Sequence, residues 1–147
     1  MSMTYKNILV AVDESNEAMI AFKRAVQVAI NNVGSKLYII HVIDTRSFAF
    51  SEGYNFDLAD HYTKSKRDML DRYEEIAVQL DFDRIYKIME YGTPKYIIAR
   101  DIPKQKQIDL IICGVTGKGE VARFFLGSVS EAIVRTAKCD VLVVRNR

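Results

Sequence analysis

Histidine, cysteine and proline are scarce in this chain, with two of each among 147 residues. The histidines, His41 and His61, form no His–Glu–His metal pattern, and both read as structural or solvated rather than catalytic. The cysteines, Cys113 and Cys139, are far apart and form neither C-x-x-C nor metal spacing. Cys113 sits in an apolar run as a small core residue and Cys139 in a loop, so free thiols are expected. No apolar stretch approaches 18 residues, which argues against a membrane span, and Met-Ser-Met-Thr-Tyr-Lys at the start lacks the apolar region of a signal peptide. Basic and acidic residues nearly balance, 21 against 19, and no basic run stands out. Nothing there supports binding to nucleic acid or to an anionic membrane. No internal repeat, low-complexity tract or linker divides the chain. A single cytoplasmic domain is the expectation.

What is present is a regular alternation of apolar runs and amphipathic stretches. Asn7–Val12 is a continuous apolar run, the pattern of a strand buried on both faces. Ser15 or Asn16 can cap a helix whose inner face is Ala18, Ala21, Phe22, Ala25, Val26, Ala29 and Ile30, ending near Gly34. Lys36–Val42 reads as a second buried strand, completing a βαβ unit. Residues 44–57, with Phe48, Phe50, Tyr54 and Phe56, read as a surface excursion or short lid whose aromatics pack on the body. A long helix over Leu58–Leu80 places Met69, Leu70, Tyr73, Ile76, Ala77 and Leu80 inward, with Lys64, Lys66 and Arg67 on the solvated side. Arg84–Glu90 alternates polar and apolar, as suits an edge strand. Thr93 and Pro94 open a helix with Tyr96, Ile97, Ala99 and Ile102 inward, which Pro103 should end or kink. Asp109–Gly114 and Val141–Val144 are the fourth and fifth strands. Strands alternating with helices predict an open parallel α/β sheet.

The fourth strand runs into a segment holding four of the seven glycines, Gly114, Gly117, Gly119 and Gly127. It leads to Ser128 and Glu131, the S-x-x-E pattern of a capped helix start. Glycine lets a ligand approach the backbone closely, and a helix start offers unpaired N–H groups. Together they suit a phosphate chain, although a plain solvent-exposed linker is the alternative.

The spacing Gly114-x2-Gly117-x9-Gly127-Ser128 resembles the G-x2-G-x9-G-[S/T] nucleotide motif of the universal stress protein family. Length and order of elements resemble that family over essentially the whole chain. The resemblance implies an adenine-nucleotide-hydrolase-like, Rossmann-like sheet of order 3-2-1-4-5, which would bring Asp13 opposite Gly114. It implies ATP or another adenine nucleotide, AMP included, as cofactor. Ala11, Val12 and Asp13 would face the nucleoside and Val42 the adenine. Gly114, Thr116, Gly117 and Gly119 would form the loop over ribose and phosphates, with donors from Gly127, Ser128, Val129 and Ser130. Asp13 could instead only cap the first helix, Ser128 could be only a cap, and Lys118 and Arg123 could neutralise phosphate or stay solvated. Many members carry Asp-Gly-Ser where this chain has Asp13-Glu14-Ser15. Glu14 would therefore bring negative charge toward the phosphates, which Mg²⁺ would offset.

Rival motifs fail on paper. Gly114 and Gly119 have the first spacing of a Walker A loop, but Glu120 follows where lysine is required. The Rossmann G-x-G-x-x-G, the phosphoacceptor acids of a receiver domain and the nucleophile elbow are all absent. The functional expectation is a nucleotide-dependent regulator in stress response with at most slow hydrolysis. A scaffold or adaptor that uses no nucleotide, and a nucleotide-transfer enzyme, are the alternatives. Because the apolar fifth strand would lie unprotected at a sheet edge, a homodimer through residues 141–145 is expected, with a further protein partner of unknown identity.

Overall fold

The structure, a computed structural model, describes residues 4–46, 56–116 and 126–146. Nine elements follow in order: β1 (Asn7–Ala11), α1 (Asn16–Asn31), β2 (Lys36–Asp44), α2 (Phe56–Gln79), β3 (Ile85–Gly92), α3, β4 (Leu110–Gly114), α4 (Ser128–Thr136) and β5 (Asp140–Val144). The element α3 comprises three continuous helical pieces, Pro94–Tyr96, Ile97–Asp101 and Ile102–Lys106. The strands form one parallel sheet in the order β3-β2-β1-β4-β5. This is the expected order, and it leaves β3 and β5 at the edges.

The continuous apolar runs make sense in this sheet because each central strand is covered on both faces. Along β1, Ile8 and Val10 point into one core with Phe22, Ala25 and Val26 of α1 and Met69, Leu70 and Tyr73 of α2. Leu9 points into the other, with Ile98 and Ile102 of α3 and Ile133 of α4. Each fully enclosed side chain of this size contributes about 1.5–3 kcal/mol by leaving water. Phe22 meets Tyr73 edge-on at 4.8 Å between ring centres, joining the two helices of the first face.

Several inner-face expectations shift at helix ends. Ile30 and Leu80, read as inward, are 44% and 42% exposed; Ile30 is next to the last residue of α1, and Leu80 falls just past the end of α2. The larger correction is α3. Pro103 neither ends nor sharply breaks it. Instead the turn before it widens, with the Ile102 N–H donating to the Ile97 carbonyl, five residues back. A proline ring clashes with the carbonyl four residues earlier in a regular α-helix, and a π turn relieves that conflict. The extra residue changes the helix phase. Ile98, Ala99 and Ile102 face the sheet, while Tyr96 is 50% exposed and Ile97 half-buried.

The long helix brings a second correction. Lys66, read as solvated, is 5% exposed. Its ammonium pairs with the Glu14 carboxylate and lies 4.7 Å from the centre of the Tyr62 ring. The 47–55 part of the aromatic segment, and the side chain of Phe56, lie outside the described residues.

Candidate functional site

Parallel strands all end on the same side, and at the point where neighbouring connections leave for opposite faces a crevice opens. Here that point lies between β1 and β4. From β1 the chain turns into α1 on one face, and from β4 it reaches α4 on the other. The crevice holds about 410 Å³ and is walled by Ala11, Val12, Asp13, Val42, Gly114, Thr116, Gly127, Ser128, Val129 and Ser130. All of these were sequence candidates. Gly117 and Gly119, and likewise Lys118 and Arg123, lie outside the described residues.

The α4 rim is held by a pinch. The Gly127 N–H donates to the Val115 carbonyl at 2.8 Å, tying the two ends of the glycine segment together. A Cβ on Gly127 would sit 3.3 Å from both Thr116 Cα and the Val115 oxygen. Its φ of −59° is ordinary, so close approach rather than unusual torsion is what requires glycine there. Gly114 is similar, with a would-be Cβ 3.3 Å from the Glu17 carbonyl of the first turn of α1.

The pinch also moves the helix start. Gly127, not Ser128, occupies the N-cap, and Glu131 pairs with Arg135 at 2.9 Å rather than reaching back. The expected S-x-x-E cap is therefore not formed. Ser128 is the first helical residue. The first intrahelical bond is from Glu131 N–H to the Gly127 carbonyl at 2.8 Å, so the N–H groups of Ser128, Val129 and Ser130 fall in the unpaired first turn. The Ser130 hydroxyl is already used, donating to the Gly114 carbonyl at 2.7 Å and fixing α4 against the end of β4. What Ser130 offers the cleft is its backbone.

The opposite wall is built around Asp13. Ser15, not Asp13, caps α1, its hydroxyl accepting from Ala18 N–H at 3.1 Å. One carboxylate oxygen of Asp13 accepts from Ser15 N–H at 2.8 Å, and the other has no partner among the described residues. The turn is fastened from α2, where the Tyr73 hydroxyl donates to the Asp13 carbonyl at 2.6 Å. Burial, then the charges of Asp13 and Glu14, push the Tyr73 phenol up to about 12, so it remains a donor. The Lys66 ammonium neutralises Glu14 beside it.

Of the wall groups that sequence reasoning did not name as candidates, three bear on the chemistry. His41, within β2, places Nδ1 2.8 Å from the Val12 carbonyl. A carbonyl only accepts, so Nδ1 carries the proton and Nε2 of the neutral ring is an acceptor. Burial is the main cause of its lowered pKa, with Lys66 adding to it. Cys113 lines the cleft, but burial pushes its thiol up to about 11, which keeps it protonated and inert. Ile98 of α3 adds apolar wall beside Val42. Its placement depends on the widened turn, which no apolar periodicity announces.

The sequence model of the universal stress protein family matches residues 4–145. This chain belongs to the universal stress protein family. A universal stress protein of Staphylococcus haemolyticus is 44% identical over 143 residues, covering 97% of this chain and 86% of the relative. Among solved structures, universal stress protein UspA from Lactobacillus plantarum superposes with a TM-score of 0.83 at 28% identity, covering 98% of this chain and 100% of that one. A universal stress protein solved in complex with cAMP shares the fold, with a TM-score of 0.71 at 22% identity over 97% of this chain and 98% of that one.

Within this universal stress protein the described residues contain no group of three or more His, Cys, Asp or Glu side chains able to hold a metal ion. Asp13 could supply a single oxygen ligand. Among the described residues no helix is long and apolar enough to cross a membrane.

Proposed function

We propose that the cleft binds an adenine nucleotide, with ATP as the first candidate, and that this universal stress protein acts as a nucleotide-dependent regulator rather than a rapid catalyst. The observation that carries the reading is the pairing of two unlike rims across one crevice. The first-turn N–H groups of α4 lie on one side and, on the other, the Asp13 oxygen that has no partner among the described residues. A helix start favours phosphate through its N–H groups and dipole. A carboxylate oxygen accepts from a ribose hydroxyl. Val42 and Ile98 supply apolar surface for a base, and a volume near 410 Å³ lies in the range of small-molecule sites. Glu14 does not add its full charge to the phosphate region, since Lys66 offsets it. Any Mg²⁺ here would draw most of its oxygen ligands from the phosphates and water, with Asp13 adding one.

Binding is favoured over turnover because three of the reactive groups of the cleft are engaged or inert, while the open Asp13 oxygen is taken up by ribose. His41 Nδ1 is bonded to backbone, the Cys113 thiol is protonated, and the Ser130 hydroxyl donates to Gly114. We further infer a homodimer through β5, whose Val141, Leu142 and Val143 are only partly covered at the sheet edge.

The test is thermal unfolding with and without Mg-ATP, AMP and cAMP, repeated with Gly127→Ala and Gly127→Val. Ligand at a hundred times Kd adds about 2.7 kcal/mol, several degrees for a chain of this size. A shift in the wild type that shrinks in variants still folded by circular dichroism supports the reading. No shift at millimolar nucleotide would overturn it in favour of an adaptor.

A further inference from the structure

A second cavity lies on the same face of the sheet as α3 and α4 but shares no lining residue with the cleft. The cleft takes α4 residues 128–130 and Ile133; the second cavity takes Ala132 and Thr136, toward the other end of that helix. It measures about 480 Å³. The gap follows from short side chains where the helices face each other, Ala99 and Pro103 on α3 and Ala132 on α4, with Ile108 and Cys139 beneath them.

The rim is cationic. Lys95, Arg100, Lys104 and Lys138 border the slot, and no acidic residue lines it. Of the neighbouring carboxylates, Asp109 and Asp140 are engaged elsewhere and Asp101 pairs with Arg100 of the rim. Asp109 accepts from the N–H groups of Lys6 and Asn7 at 2.8 and 3.0 Å, and Asp140 accepts from the Tyr5 hydroxyl at 2.7 Å. Asp101 takes only Arg100, at 3.1 Å. Lys95 and Arg100 each lie 5.3 Å from the centre of the Tyr96 ring, which holds them at the edge of the slot. Among the described residues, the ammonium groups of Lys95, Lys104 and Lys138 have no carboxylate partner. A chain carrying 21 basic and 19 acidic residues overall thus places three lysines with no carboxylate partner among the described residues around one apolar hollow.

We propose that this slot binds a small amphiphilic anion, an apolar chain bearing a terminal carboxylate, as a monomer from solution. The apolar walls match the chain and the lysines match the head, and each alone would fit a different ligand. The volume falls in the range of about 300–1,000 Å³ typical of small-molecule sites. The lining is helical and turn backbone with no free strand edge, so an extended peptide has no ladder to join. Occupancy does not require the nucleotide reading to hold, because the two cavities are built from different residues.

The experiment is displacement of 1-anilinonaphthalene-8-sulfonate by dodecanoate below its micelle concentration, confirmed by calorimetry on the full chain. Dodecanol and dodecyltrimethylammonium are the controls. Dodecanoate is expected to bind with an affinity that falls as salt rises, about tenfold or more tighter than dodecanol, with no binding by the cationic chain. The exposed double variant Lys104→Glu/Lys138→Glu should lose that advantage while keeping the wild-type melting temperature. Ala132→Leu, which fills the slot without touching charge, should weaken dodecanoate and dodecanol together. Equal binding of dodecanoate and dodecanol, or unchanged binding in the charge-reversed variant, would overturn the proposal. So would association with phosphatidylglycerol vesicles or an acidic peptide in the absence of dodecanoate binding, since the surface would then serve a macromolecule. Loss of self-association in the charge-reversed variant without dodecanoate binding would assign the slot to a second copy instead.

Discussion

The Lys66–Glu14 pair predicts an asymmetry that distinguishes an enclosed ion from a surface one. The Lys66 side chain is 6% exposed and that of Glu14 37%. Replace Glu14 with Ala, and the ammonium is left enclosed without that carboxylate. Removing one partner of a buried pair costs about 3–5 kcal/mol, and the low end, about 3 kcal/mol, applies where one side opens to solvent. Replace Lys66 with Met, and the apolar stem is kept while the carboxylate can turn to water. That change should cost about 1 kcal/mol or less, the scale of a solvent-screened pair. The double variant should cost less than the sum of the two singles, because once the ammonium is gone the loss of the carboxylate no longer strands an enclosed charge. Urea denaturation of the four proteins at neutral pH reads the cycle directly, with equal m-values required for the comparison. If Lys66→Met costs more than Glu14→Ala, or if the single losses simply add, the lysine is not enclosed and the account of the Asp13 turn fails with it. The same variants carry a ligand readout. Lys66→Met removes a positive charge beside Glu14, so it should weaken ATP binding more than its modest loss of stability explains.

Acid sensitivity follows from His41. Its folded pKa lies below the ordinary value of 6.5, chiefly through burial, so below that pH the unfolded chain takes up a proton that the folded chain refuses. The stability difference between wild type and His41→Gln should therefore shrink as pH falls through about 6.5 and level off below the folded pKa. A difference independent of pH between 5 and 8 would contradict this. For the proposed dimer, Val143→Lys places a charge in the exposed edge strand and should give a monomer in sedimentation at micromolar concentration. A variant that stays dimeric moves the interface elsewhere.

Much of the framework is visible in the residues because the central strands are continuous β-branched runs and α1 is a clean apolar stripe. The sheet order came from the resemblance rather than the periodicity, and the pairing bears it out. Most candidate cleft residues could be named because strand ends and a glycine segment mark them. Two of the errors share a cause, which is that they depend on groups remote in sequence. Lys66 looks like any lysine on a charged helix side until Glu14, 52 positions earlier, is placed against it. Ser128 looks like a cap until Val115 draws Gly127 into that position. The inner face of α3 is misjudged because a period of 3.6 cannot reveal one additional residue in a turn.

That additional residue in α3 has a consequence for how the two cavities coexist. Pro94 and Ile98 serve the cleft, whereas Lys95, Tyr96, Ala99, Arg100, Pro103 and Lys104 serve the slot. The widened turn, Ile97–Asp101, sets the angle between the residues before it, Pro94, Lys95 and Tyr96, and those after it, Pro103 and Lys104. Deleting one residue there would restore ordinary helical winding and rotate everything after it by about 100°. Pro103 and Lys104 would swing away from α4 while Pro94 kept its place. The helix thus works as a camshaft, with two sets of lobes timed by a single inserted residue.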